Sequence, residues 1–147
     1  MVKPLLTTLR LIGQTLLWGW ASPGTMIGLS LGLIGVLSGG GVRPLGHTLE
    51  FHGGFVTWFL RKIGRGAGAM TLGHVILGQE PAVLDACRDH ELVHVRQYER
   101  WGPFFLPAYG LCAAWLHLRG HHGYWDNPFE KEAYGNAAAR DDVDQCG

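Results

Sequence analysis

Residues 70–100, MTLGHVILGQEPAVLDACRDHELVHVRQYER, decide how the chain is read. Met70 to Leu77 is rich in β-formers and predicts a strand. Pro81 stands where a helix would open. From Ala82 to Arg100, Val83, Leu84, Cys87, Leu92 and Val95 recur among charges at helical spacing, and Gly102-Pro103 predicts the stop. Inside that helix lies His90-Glu91-Leu92-Val93-His94, an HExxH pattern. Positions four apart share one helix face, so both imidazoles can reach one Zn²⁺ at about 2.0–2.1 Å. Glu91 lies between them and is expected to act as general base towards a water at the metal.

A catalytic zinc takes a third protein ligand and keeps a fourth position open. Downstream, Asp126-Asn127-Pro128-Phe129-Glu130-Lys131-Glu132-Ala133-Tyr134 reads as a helix start, with Asn127 as N-cap, Pro128 at N1 and Glu130 at N3. Glu130 or Glu132 can turn to the metal. Glu130 is favoured because it shares a face with Ala133, Tyr134 and Ala137. His121-His122, beside Gly120 and Gly123, is the rival source of the ligand. His47, His52, His74 and His117 stand isolated and read as structural or exposed. Cys87 reads as a small buried residue. Tyr124 and Tyr134 flank the glutamate segment as candidate donors to an oxyanion.

Upstream of this core the chain is apolar. Leu11 to Val42 is 32 residues without a charge, longer than the roughly 20 needed to cross a bilayer, but Ser22-Pro23-Gly24 breaks it. The expectation is an apolar stretch to Trp20, a kink, and a helix from about Gly24 to Leu37. Trp18 and Trp20 suit a headgroup-level anchor. Arg10 and Gln14 interrupt any leader-like core, so a retained anchor is expected. Gly24, Gly28 and Gly32 form a small-residue stripe that predicts close helix–helix self-association in lipid; packing on the chain's own domain is the plainer reading. Gly102 to Leu118 is a second uncharged run, read as a buried or interfacial helix. His47–Phe51 and Phe55–Phe59 flank Gly53-Gly54 as a hairpin, or as a strand followed by a helix.

Composition agrees with a membrane-associated protein. Of 147 residues only 16% are charged, against roughly 25% in soluble domains, and 23 are glycine. The zero net charge argues against a nucleic-acid partner. Six basic side chains against Glu50 give residues 1–65 a net +5, suited to anionic headgroups, whereas 126–147 is net −4. Basic residues on both sides of the apolar run fit a re-entrant segment with a cytoplasmic catalytic side at the inner membrane.

With HExxH and a downstream glutamate helix, the chain resembles a gluzincin-type zinc metallopeptidase domain. His90, Glu91 and His94 match the active-site helix, and Glu130 in NPFEKEA matches the third-ligand helix. The pattern TLGHVILG, HELVHVRQYERWGPFF, YWDNPFEKEA is similar to small bacterial zincin-like proteins with apolar N-termini. The resemblance covers about residues 44–140. It implies a short sheet whose last strand borders the cleft and can pair with an extended peptide. A more distant likeness is to prenyl-protein endopeptidases, whose Glu-x-x-x-Asp pattern is replaced here by Tyr134 after Glu130 and Asn136 after Glu132.

The expected architecture is therefore α+β: an apolar membrane-associated segment (1–43), a minimal zincin-like domain (44–140) and an acidic tail (141–147). Its expected function is zinc-dependent hydrolysis of peptide or protein substrates at a membrane, with His90, His94 and Glu130 as ligands and Glu91 as base. The alternative is a non-catalytic membrane scaffold that keeps the metal site.

Overall fold

A computed structural model describes residues 2–137, the side chains of 2–6, 9, 136 and 137 excepted. The acidic segment 141–147 and the Asn136 side chain therefore lie outside the described residues. Helices α1 (Val2–Trp20) and α2 (Ser22–Leu37) occupy the apolar front of the chain and meet at Ala21. Pro23 lacks the N–H that a continuous helix would use, and Arg10–Trp20 and Ser22–Leu37 are bent by 80°. Among the described residues no single helix is long and apolar enough to cross a membrane, although this bent pair passes that test together.

Next come β1 (Gly41–Leu45), β2 (Thr48–His52), α3 (Gly54–Lys62), β3 (Ala69–Leu72) and β4 (Val75–Gly78). The chain continues through α4 (Pro81–Trp101), a 3-10 turn at Gly102–Phe104, α5 (Phe105–Leu118) and α6 (Pro128–Ala137). The class is α+β, with one mixed sheet ordered β1-β2-β4-β3. Two antiparallel hairpins, β1–β2 and β3–β4, are joined through parallel pairing of β2 with β4. The element α3 is the helical form of the Phe55–Phe59 arm.

One strand expected over Met70–Leu77 is two. Gly73 adopts φ 64, a left-handed conformation that reverses the chain between Leu72 and Val75. The boundary expected at residue 43 falls inside β1, so the apolar front is continuous with the sheet.

The sheet is covered on both faces, which explains why all four residues of β4 are buried. Successive side chains alternate between the faces. Val75 and Leu77 join Phe51, Val56, Leu60 and Leu72, packed by Leu29, Leu31 and Val36 of α2 and Phe59 of α3. Ile76 joins Ala69, Leu84, Cys87 and Val95 on the α4 side. Each such buried aliphatic side chain contributes about 1.5–3 kcal/mol relative to exposure. A third cluster of Ala21, Tyr98, Phe105 and Phe129 ties the end of α4 to α5 and α6. Glu50, 1% exposed on β2, receives Arg43 and Arg88 and links β1 and α4 across the sheet.

The glycine stripe is a correction to the self-association expected in lipid. Gly24, Gly28, Gly32 and Gly35 are buried against the chain's own fold. A Cβ on Gly28 would lie 2.7 Å from Val75 Cβ and 3.0 Å from the Leu72 carbonyl oxygen, and one on Gly32 would meet the Phe51 ring at 2.5 Å. The helix is glycine-rich because the sheet needs it close. Gly28→Ala should therefore destabilise the monomer by about 1–3 kcal/mol in thermal unfolding, by overpacking. Gly13→Ala, with nothing within 4 Å of its added carbon, should be neutral or stabilising by up to about 1 kcal/mol. Loss of a dimer with an unchanged unfolding temperature in Gly28→Ala would restore the self-association reading.

Candidate metal centre

Helix α4 carries two packed stripes, buried throughout except at Trp101, which is 42% exposed at the end of the second. Leu84, Cys87, Glu91, Val95 and Tyr98 recur at spacings of three and four, and all are buried. Glu91 lies in this stripe, and Thr71 of β3 reaches it, its hydroxyl donating to Glu91 Oε2 at 2.6 Å. The second stripe, His90, His94, Gln97 and Trp101, is turned towards α6: Gln97 and Trp101 contact Phe129, and His90 and His94 face Glu130.

The N-terminus of α6 forms as its sequence predicts. Asn127 Oδ1 accepts from the Phe129 N–H at 3.2 Å, and Pro128 opens the helix. The Glu130 carboxylate is not spent on closing a capping box. Its Oε2 lies 3.3 Å from His90 Nε2 and 3.5 Å from His94 Nε2, while the two imidazole nitrogens are 3.1 Å apart. His90, Glu130 and His94 are 3%, 3% and 8% exposed.

These residues fit a metal ion on two grounds. A tetrahedral zinc with bonds of about 2.0–2.1 Å has donor–donor edges of about 3.3–3.4 Å, and the three observed separations bracket that value. Glu130 Oε2 is also buried without a hydrogen-bond partner, which a buried carboxylate oxygen rarely tolerates. Among the described residues, no fourth His, Cys, Asp or Glu joins this group.

The donors are held from behind. Gln97 Oε1 lies 2.8 Å from His94 Nδ1, so an N–H there leaves Nε2 as the electron-pair donor facing Glu130. The Gln97 amide donates in turn to the Phe129 carbonyl at 3.0 Å and to Glu132 Oε2 at 2.9 Å. Glu132 also receives Arg100 at 3.3 Å. It supports His94 through Gln97, and Glu130 alone of the two glutamates enters the cluster. The Tyr109 hydroxyl of α5 donates to Glu130 Oε1 at 2.8 Å. Phe105 and Tyr134 lie over the imidazoles, with ring centres 6.2 Å from His94 and 4.5 Å from His90.

Electrostatics follow from this crowding. Burial by itself disfavours a charged His94, but Glu130, Glu91 and Gln97 outweigh it and raise the pKa to about 9. Burial likewise opposes ionisation of Glu130, yet His90, His94 and Tyr109 hold its carboxyl down at about 2. The Tyr109 hydroxyl is pushed up, first by burial and then by Glu130. In the metal-free protein the His94 proton stabilises the fold below its ordinary value of 6.5, a contribution lost as pH rises through about 9. The Glu130 contribution is present above 4.5 and lost as pH falls through about 2.

Other sequence candidates lie elsewhere. His121 and His122 are exposed; His122 Nδ1 accepts from the Tyr124 and Trp125 N–H groups, and His121 lies 3.9 Å from Asp126. Tyr124 and Tyr134 hydroxyls pair with each other at 3.0 Å. Trp18, expected at the headgroup level, stacks on His74 at 4.9 Å. His47 and His74 are not isolated, since both approach Glu99. Thr71, Gln97 and Tyr109 were missed from sequence. Only Gln97 carried a signal, three residues beyond His94 on the ligand face.

A metal at these atoms must displace the proton that His94 holds up to about pH 9. Zinc titration by calorimetry at pH 7.5 in buffers of different ionisation enthalpy should show release of about one proton per ion, with affinity rising as pH rises. Proton-neutral uptake would remove His94 from the ligand set. No protein-family model, curated protein or solved structure matches this chain, so the site stands on its own geometry.

Proposed function

We propose that the chain is a membrane-associated, zinc-dependent peptidase of gluzincin type. The observation that carries this reading is the convergence of His90 Nε2, His94 Nε2 and Glu130 Oε2 at 3.1–3.5 Å, beside a second buried carboxylate, Glu91. A zinc ion held by those three atoms would supply Lewis acidity towards a peptide carbonyl and lower the pKa of water. Glu91 takes a proton from the attacking water and returns it to the leaving amine. Thr71 fixes Glu91 through Oε2, leaving Oε1 as the proton-accepting oxygen. Tyr109 and Gln97 keep Glu130 and His94 oriented throughout.

Substrate access is supported by the edge position of β3, which pairs only with β4 in the sheet and bears Thr71. An extended peptide added there would run past Glu91. This edge strand is third in chain order, whereas the resemblance implied the last. Membrane association is supported by exposed apolar side chains: Leu16, Leu37, Leu111 and Leu118 are each more than two-thirds exposed. The +5 charge of residues 1–65 favours an anionic, cytoplasmic-leaflet surface.

One observation favours the second reading, a scaffold that binds metal without turnover. The ligands and Glu91 are all under 10% exposed, and α5 closes over them through Tyr109 and Phe105. Turnover therefore requires α5 to give way to substrate.

Glu91→Gln separates the readings. The variant should retain its zinc and lose at least about 100-fold in cleavage of a fluorogenic peptide library presented in detergent micelles, with wild type as control. Undiminished cleavage by the variant would remove Glu91 as base, and a zinc-loaded wild type that cleaves nothing would leave the scaffold. The whole chain should also float with phosphatidylglycerol vesicles, and Leu111→Glu with Leu118→Glu should weaken that binding; flotation unaffected by both would exclude α5 from the lipid contact.

A further inference from the structure

We propose that His47, His74 and Glu99 form a second binding site for a divalent transition-metal ion, separate from the His90–His94–Glu130 cluster. His47 Nε2 and His74 Nε2 each lie 3.2 Å from Glu99 Oε1, and the three donor atoms are all within 4.8 Å of one another. Both nitrogens approach the same carboxylate oxygen from different parts of the chain. His47 lies in the turn between β1 and β2, His74 in the turn between β3 and β4, and Glu99 in the last turns of α4. Two imidazoles and a carboxylate suit zinc and its neighbours in the first transition row.

The donors differ in freedom in a way that suits capture of an ion. His74 is fully buried, its ring stacked on Trp18 at 4.9 Å and 11°, and its backbone N–H donates to Thr25 Oγ1 at 3.1 Å. His47 is 42% exposed and can close on an ion brought to the other two. It also borders an open cavity of about 520 Å³ lined by Leu11, Trp18, Pro44 and Leu49, which leaves its imidazole reachable from solvent. An ion here would pin both hairpin turns to the end of the helix that carries the first cluster.

Equilibrium dialysis of the full chain in detergent against Zn²⁺ tests the proposal by stoichiometry. Wild type should bind two equivalents, and His47→Ala and Glu99→Gln should each lose one. Glu130→Gln should keep the ion at His47–His74–Glu99, and combining it with His47→Ala should abolish binding. His47→Ala is a substitution in a half-exposed turn, and circular dichroism checks that its fold persists. Binding by folded His47→Ala equal to that of wild type would overturn the second site, as would no binding by Glu130→Gln. Loss in His47→Ala together with no loss in Glu130→Gln would uphold this site while removing the peptidase centre.

Discussion

Three electron-rich atoms facing one another at 3.1–3.5 Å in a buried space repel unless positive charge lies among them. That constraint governs the α4–α6 interface. In the metal-free chain a proton on His94 supplies part of the charge, which is why its pKa is raised to about 9 while that of Glu130 falls to about 2. A divalent ion supplies it more fully and also satisfies the otherwise unpartnered Glu130 Oε2. The surrounding groups belong to the same solution. Gln97 fixes His94, Glu132 and the Phe129 carbonyl fix Gln97, and Tyr109 fixes the far oxygen of Glu130.

The rest of the fold brings those atoms together and holds Glu91 beside them. Because α4 is buried on two sides, the sheet-facing stripe delivers Glu91 to Thr71, and the α6-facing stripe delivers both imidazoles to Glu130. A helix with only one packed face could not place base and ligands on different partners. The sheet in turn requires α2 to approach closely, and the glycines along α2 permit it. The chain's apolar front is thus part of the scaffold under the centre. Its outward side, with Leu16 and Leu37 exposed, remains available to a lipid surface.

Helix α4 with its HExxH pair and the Asn127 cap were legible because each depends on local spacing along one helix. The approach of Glu130 to that pair joins two helices and was expected only because a zinc takes a third protein ligand. The Glu130–Glu132 choice was readable from the packed face that Glu130 shares with Ala133, which is fully buried. The hairpin at Gly73 was not, since a β-rich run with one glycine reads equally as one strand or as two. The glycine stripe misled for a related reason: small residues show that something comes close, but not whether it is another chain or the same one. Tyr109, Thr71 and the Glu50 ion pairs depend on tertiary contacts 20 or more residues apart in the case of Thr71 and Tyr109. The His47–His74–Glu99 group was invisible for the same cause, with its members on two turns and a helix end.

Anomalous diffraction at the zinc absorption edge, from crystals of the zinc-loaded chain, tests the central claim most directly. The account expects a peak about 2.0–2.1 Å from His90 Nε2, His94 Nε2 and a Glu130 oxygen, with one remaining position taken by solvent. A peak bonded to Glu132 in place of Glu130, or no peak between α4 and α6, would contradict it.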